Sequence, residues 1–280
     1  MEETKYARHV AIPQFIFSAR TYSSWHEHYI WISRGSSVAI EIFNRQELKF
    51  IIDTRQFKQI LPVITAYMKP DAHNKNDRTY RLHNLYVDTE DHALIRHSTA
   101  KPVVYKEKLR VRSYTGFEDN PVVFLEIKKR YKRLTNKRRT KIPYEEALQF
   151  IATGTLPRQH GYMNGQVVRE LESILQTREH KPKTYITYDR LAFSALDPAS
   201  DLRVTFDTNI TAQRYGETQQ TLLLDDERIV MELKSYYSAP LWLVELLDEH
   251  NIHKQSFSKY GREYLHFLQT TKPATGAIYA

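Results

Sequence analysis

Along much of the chain, apolar residues alternate with charged ones, and blocks of helical spacing separate these stretches. Regular alternation begins at Val38 and predicts a strand over 38–52. Phe57, Ile60, Leu61, Ile64 and Met68 then fall at helical spacing, predicting a helix over 54–68 with Thr54 as N-cap. Pro62 inside that pattern is expected to kink the helix or split it. Further strands are predicted at 80–88, 102–115, 121–131, 137–142, 183–193, 201–208 and 227–235. Helices are predicted at 91–97, 144–153, 164–179, 239–250 and 257–270. Gly116, Asp119, Asn120 and Pro121 suit a hairpin turn, and Leu134-Thr135-Asn136 closes a second one. Strands follow strands and helices come in blocks, so the fold class is α+β with a mainly antiparallel sheet.

The polar side of this alternation carries the chemistry. Successive strand residues point to opposite faces, so Lys106, Lys108, Arg110 and Arg112 stand on one face, against Glu107, Leu109 and Val111. Four like charges spaced about 7 Å apart repel one another unless something negative lies between them. Glu126, Lys128 and Arg130 share a face opposite Val123, Leu125 and Ile127. Arg45, Glu47 and Lys49 align, as do Arg203, Thr205 and Asp207, and Arg228, Val230, Glu232 and Lys234. Any one such face is ordinary for a solvated strand. Five of them, mostly cationic with a few carboxylates, fit a sheet curled so that they line a shared basic interior. Such an interior suits a phosphate chain and a divalent cation.

Composition narrows the partner. Among 280 residues, 41 Lys and Arg outweigh 33 Asp and Glu, a formal charge of +8, which calls for an acidic substrate or partner. The absence of cysteine excludes a disulfide scaffold, a thiolate metal site and a cysteine nucleophile, and fits a cytoplasmic protein. No apolar run approaches the roughly 20 residues of a membrane span. With only eight glycines there is no Walker or GxGxxG loop, no His-Glu-x-x-His and no Gly-x-Ser-x-Gly. His26-Glu27-His28 and the pair His250 and His253 are set aside as metal sites, the first in a doubtful leader and the second at a helix end. The basic run from Lys128 to Arg133, with Lys137 and Arg139, divides between the faces of a hairpin and so does not read as a nucleic-acid patch.

Residues 1–37 lack a period and are rich in Ser, His and aromatics. They read as a weakly ordered leader, either a genuine extension or sequence upstream of a native start at Val38. Residues 38–270 form one domain and 271–280 a tail. Removing residues 1–37 is therefore expected to leave folding and activity intact; an insoluble or inactive truncated chain would place the segment in the domain.

The ordered motifs Arg45-x-Glu-x-Lys-Phe50, Tyr105-x-x-Lys-x-Arg-x-Arg-Ser-Tyr114, Phe124-x-Glu-x-Lys128, Tyr188-x-Arg190, Arg203-x-Thr-x-Asp207, Met231-Glu-x-Lys234 and Ser258-Lys-Tyr260 resemble the VTC domain. This is the polyphosphate polymerase domain of the vacuolar transporter chaperone family, here in a bacterial stand-alone form, within the CYTH-like triphosphate tunnel metalloenzymes. The resemblance covers roughly 40–268. It implies a closed antiparallel barrel around a basic tunnel, with flanking helices. It also implies transfer of the γ-phosphoryl group of ATP to a growing polyphosphate, with Mn²⁺ or Mg²⁺. By position, Lys49, Arg110, Arg112, Lys128, Arg190, Arg203, Lys234 and Lys259 resemble the tunnel cations, with Lys106, Lys137 and Arg139 as further members. Glu232 resembles the metal-binding carboxylate, and Glu126 reads as a salt-bridge partner of Lys128. Tyr114 and Tyr188 read as wall residues. Arg45 stands where related hydrolases carry the first carboxylate of Glu-x-Glu-x-Lys, which disfavours the alternative of a triphosphatase. Retention of Glu232 disfavours the other alternative, a non-catalytic polyphosphate- or nucleotide-binding module. The implied partners are ATP and polyphosphate, not nucleic acid, with room for a membrane-protein partner encoded elsewhere. Arg112→Ala is expected to weaken nucleotide binding and, by relieving repulsion, to stabilise the ligand-free protein slightly.

Overall fold

The computed structural model describes residues 42–43, 46–74, 79–100, 102–118, 121–132, 134–236 and 238–271. Its strands are β1 (Ile42–Phe43), β2 (Gln46–Asp53), β3 (Met68–Pro70), β4 (Tyr80–Thr89), β5 (Tyr105–Ser113), β6 (Val122–Tyr131), β7 (Leu134–Pro143), β8 (His180–Ala195), β9 (Arg203–Arg214), β10 (Gln220–Leu222) and β11 (Arg228–Ser235). The helices are α1 (Thr54–Tyr67), α2 (Ala93–Thr99), α3 (Tyr144–Thr153), α4 (Gly165–Leu175), α5 (Leu241–Glu249) and α6 (Lys259–Thr271). Each strand pairs antiparallel, in the order β1-β7-β6-β5-β4-β8-β9-β11-β2, with β10 on β9 and β3 on β8. The expected α+β class holds.

The sheet curls strongly. β6 and β2 lie six steps apart in this order, about 29 Å in a flat sheet at ~4.8 Å per strand. Yet Lys128 Nζ on β6 sits 2.8 Å from Glu47 Oε2 on β2. The two ends of the order, β1 and β2, are also consecutive segments of the chain. The expectation of a closed barrel is corrected in one respect: among the described residues the ladder runs open from β1 to β2. The first strand is divided between two edges, β1 pairing β7 and β2 pairing β11.

Alternation then decides what each face buries. The outer face of β4 to β7, with Leu109, Val111, Leu125 and Ile127, packs under α3 and α4 through Phe150, Val167 and Leu171. The outer face of β2, β8, β9 and β11 packs under α1 and α5 through Ile60, Ile64, Leu243 and Leu246. On the inner face a third cluster, with Tyr86, Ile186, Tyr188, Ile210 and Val230, is sealed by Tyr260 and Tyr264 of α6. Among the described residues no helix is long and apolar enough to cross a membrane.

Local departures from expectation have physical reasons. Asp53, not Thr54, caps α1: its side chain accepts from Gln56 N at 2.7 Å, and Gln56 Oε1 accepts from Asp53 N at 3.0 Å. Pro62 does not split α1, since it lies on the exposed side and the carbonyl it leaves free, at exposed Lys58, faces water. The helix expected at 91–97 starts at Ala93, where buried Asp88 accepts from the amides of Leu94 and Ile95.

Candidate functional site

The inward face of the curled sheet gathers most of the residues singled out from the sequence. β2 contributes Glu47 and Lys49, β5 contributes Lys108, Arg110 and Arg112, and β6 contributes Glu126 and Lys128. Cross-strand register then sets charges against one another: Arg110 faces Glu126, which faces Arg139 on β7; Arg190 on β8 faces Asp207 on β9; Glu232 on β11 faces Lys49. Antiparallel neighbours directly opposite are within side-chain reach, and the Arg110–Glu126 and Arg190–Asp207 rungs become close ion pairs.

Buried carboxylates tie these cations into groups. Glu126 accepts from Arg110 Nε at 2.8 Å and Lys137 Nζ at 2.8 Å, with Arg139 at 3.9 Å and Arg112 at 4.0 Å. Its expected partner, Lys128, instead reaches across the interior to Glu47 at 2.8 Å, where Lys49 also sits at 3.0 Å. The reason is reach: Arg110 and Arg139 occupy the rungs on both sides of Glu126, whereas Lys128 faces Lys108 and Lys137. Asp207 accepts from both Arg190 Nε (2.6 Å) and Nη2 (2.8 Å), and from Lys259 Nζ (2.6 Å). Lys259 thus begins α6 with its amine turned inward. Lys234 pairs with Glu232 at 2.8 Å, and Arg203 with Asp71 at 2.9 Å.

The electrostatics follow from this crowding. Burial pushes the Glu126 carboxyl up, but Arg110, Arg112 and Lys137 outweigh it and hold the group well below the usual carboxylate range. Burial and Glu232 push Glu47 up, and Lys128, Lys49 and Lys234 bring it down to about 2. Tyr188 is raised by burial, yet Arg112, Arg190 and Lys259 lower its hydroxyl to about 8. Among the described residues the amine of Lys108 meets no carboxylate: it donates to Ser258 Oγ at 2.7 Å, and burial with Lys49, Lys128, Lys106 and Arg110 nearby lowers it to about 7. Cations therefore exceed carboxylates, and the excess is greatest where β5 and β6 meet the start of α6. A phosphate group entering there relieves repulsion instead of competing with an existing pair.

Arg112 overturns one expectation. It is 6% exposed, donates to Asn84 Oδ1 at 2.9 Å and to Tyr188 Oη at 3.2 Å, and has Glu126 beside it. Removing it leaves the fully buried Asn84 oxygen unpaired, so Arg112→Ala is expected to lower ligand-free stability by about 2 kcal/mol. A urea titration checks this, and an unchanged or raised midpoint would restore the repulsion account.

Among the described residues, Glu47 and Glu232 are the carboxylates that could hold a divalent cation beside these phosphate-facing cations. Glu47 and Glu232 lie on neighbouring strands, on rungs one inward step apart, and Glu232 is the charge that most raises Glu47. No group of three or more His, Cys, Asp or Glu residues is spaced for a metal among the described residues. Two carboxylates without a protein cage would suit a hard ion of the Mg²⁺ or Mn²⁺ type, which takes oxygen ligands and keeps several waters. Arg45, in line with Glu47, lies outside the described residues.

A model of the VTC domain matches residues 44–268, the span that holds every residue of this interior. The chain belongs to the VTC domain family. No curated protein matches it. Among solved structures, a candidate adenylate cyclase from Bacillus halodurans is similar at 13% identity and TM-score 0.49, covering 78% of this chain and 96% of its own. A second candidate adenylate cyclase, from Vibrio parahaemolyticus, is similar at 11% identity and TM-score 0.44, covering 79% and 97%. The PH1819 protein from Pyrococcus horikoshii is similar at 11% and 0.41, covering 81% and 99%.

Within this VTC domain, the structure brings together Lys49, Arg110, Arg112, Lys128, Arg190, Lys234, Lys259, Lys137, Arg139 and Glu232, and places Arg203 at one edge with Asp71. Lys106 faces Arg130 on the rung beyond Lys108, and burial with Arg130 and Lys49 nearby lowers its amine. Glu47, Lys108 and Asp207 also belong to the interior. Their position on the inward faces was legible, but not the roles of Glu47 and Asp207 as counter-ions or the bond of Lys108 to Ser258.

Proposed function

We propose that this VTC domain is a metal-dependent phosphotransferase that moves the γ-phosphoryl group of ATP onto polyphosphate. The observation that carries the reading is the inward-facing, buried or half-buried set of Arg and Lys side chains around the Glu47–Glu232 pair. Phosphoryl transfer asks a protein for alignment and charge neutralisation more than for covalent chemistry. Arg110, Arg112 and Arg190 offer planar forks to phosphate oxygens, while Lys128, Lys234 and Lys259 supply point charges that follow the chain as it moves. Glu126 and Asp207 hold several of these cations in place, and phosphate oxygens would take over part of that pairing. A polyphosphate end is already anionic, so no side chain has to remove a proton from the acceptor. When bound, a divalent ion held by Glu232 and Glu47 neutralises charge on the transferring phosphoryl group. A location in the cytoplasm, where ATP is present, belongs to the same proposal.

The test is purified protein with ATP and Mn²⁺, assayed in parallel for long-chain polyphosphate and free phosphate. Polyphosphate is the expected product. Free phosphate alone would make the protein a triphosphatase with water as acceptor, and tight binding with neither product would leave a binding module.

A further inference from the structure

One mouth of the interior is lined by aromatic rings that phosphate binding does not use. Antiparallel order brings the start of β4, the end of β5 and the starts of β6 and β9 to the same edge of the sheet. Tyr80, Tyr114, Phe124 and Arg203 therefore meet there. Tyr80 and Tyr114 are 6.2 Å apart between ring centres, and Tyr114 meets Phe124 edge-on at 5.9 Å. Exposed His73 stacks on Tyr114 at 5.7 Å and 21° and lies 6.0 Å from Tyr80.

His73 is held there by a fixed turn. Asn74 N donates to Asp71 O at 2.8 Å, Asn74 Nδ2 donates to Ala192 O at 2.7 Å, and Asp71 N donates to the same carbonyl at 2.9 Å. Asp71 in turn accepts from Arg203 Nε at 2.9 Å, and Arg203 Nη2 donates to Tyr80 Oη at 3.4 Å. One short turn thus couples an exposed ring to a guanidinium at the entrance of the cationic interior.

Inorganic phosphate chains present no flat apolar surface, so these rings offer them nothing. A planar base does: it stacks on aromatic faces whatever its sequence of donors and acceptors. The rung of Arg203 and Lys234 is two residues, about 7 Å, from the rung of Thr205 and Glu232. That step is comparable to the length of a triphosphate chain. We propose that His73, Tyr80 and Tyr114 form the seat of the nucleobase of a nucleoside triphosphate, with Arg203 taking its first phosphates and the last lying near Glu232. This rests on the phosphotransferase reading and adds the nucleotide selectivity that the phosphate-binding cations cannot supply.

Calorimetric titration of ATP and of inorganic tripolyphosphate separates the two. In His73→Ala and Tyr114→Leu, affinity for ATP relative to tripolyphosphate is expected to fall about tenfold. Tyr114→Phe, which keeps the ring, is expected to restore the ratio. If both ligands weaken by the same factor, or the ratio does not move, the rings only pack the wall and the base seat is wrong while the tunnel stands. If the unaltered protein binds neither ligand, the phosphotransferase reading fails and the base seat with it.

Discussion

Glu232→Gln is expected to reduce Mn²⁺-dependent turnover by about a hundredfold or more while nucleotide binding survives. The substitution keeps the size of the side chain and its ability to accept from Lys234, now 2.8 Å away, but removes the charge. Burial alone would push this carboxyl up. Lys234, Lys49 and Arg190 keep it well below the usual range, so it is ionised at any working pH. Glu47 then remains as a single carboxylate, too little to hold a divalent ion among so many cations. Neutralisation of the transferring phosphoryl group by a metal is worth several kcal/mol, and each ~1.4 kcal/mol is tenfold in rate. The phosphate-holding cations are untouched, and they gain net positive charge. ATP titrated without metal is therefore expected to bind Glu232→Gln at least as tightly as the unaltered protein. Full turnover in the variant, with an unchanged Mn²⁺ requirement, would show that the metal sits elsewhere.

How far the sequence foretold this interior depends on the range of the signal. Period-two alternation is local, and it put Arg110 and Arg112 on the face opposite Val111, as the structure has them: Val111 is fully buried in the outer core, and both arginines meet Glu126. The same rule failed where the backbone breaks the period. Asn209 adopts φ 51°, and the β8–β9 register shifts beside it, so Ile210 and Ala212 face inward where strict alternation from Asp207 would turn them out. That bulge is why β9 was expected to end at 208 and instead runs to Arg214. β3 and β10 are three residues each, too short to show a period. Pairings between distant segments left no trace at all. Lys128 with Glu47, Lys259 with Asp207 and Lys108 with Ser258 depend on how the sheet curls and where α6 docks, and neither is written in the residues beside them. Asp71 and His73 lie on a turn with no repeat, and distant contacts give them a place: Ala192 and Arg203 for Asp71, Tyr114 and Tyr80 for His73.

Glu126→Gln is expected to destabilise the ligand-free protein by about 3 kcal/mol. The carboxylate is 1% exposed and is the shared counter-ion of Arg110 and Lys137, with Arg112 and Arg139 close by. Breaking a buried ion pair from one side usually costs about 3–5 kcal/mol because the other charge stays buried and uncompensated. Here Lys137 and Arg139 are about a third exposed on their side chains, so water screens part of that loss and the lower end applies. The pH dependence has a definite sign. Because the folded carboxyl lies well below its ordinary value of 4.5, its contribution is complete above that value and is lost as pH falls beneath it. The unaltered protein is therefore expected to lose stability as acid is added below about pH 4.5, and the variant to lose less over the same range. Tripolyphosphate replaces the missing negative charge, so it is expected to raise the melting temperature of Glu126→Gln more than that of the unaltered protein, and high salt to narrow the difference. Melting curves at pH 7 and pH 4, with and without tripolyphosphate, decide it. Equal melting temperatures without ligand would mean that Glu126 is not what holds these cations together, and that the arginines find another anion while Lys137 releases its proton.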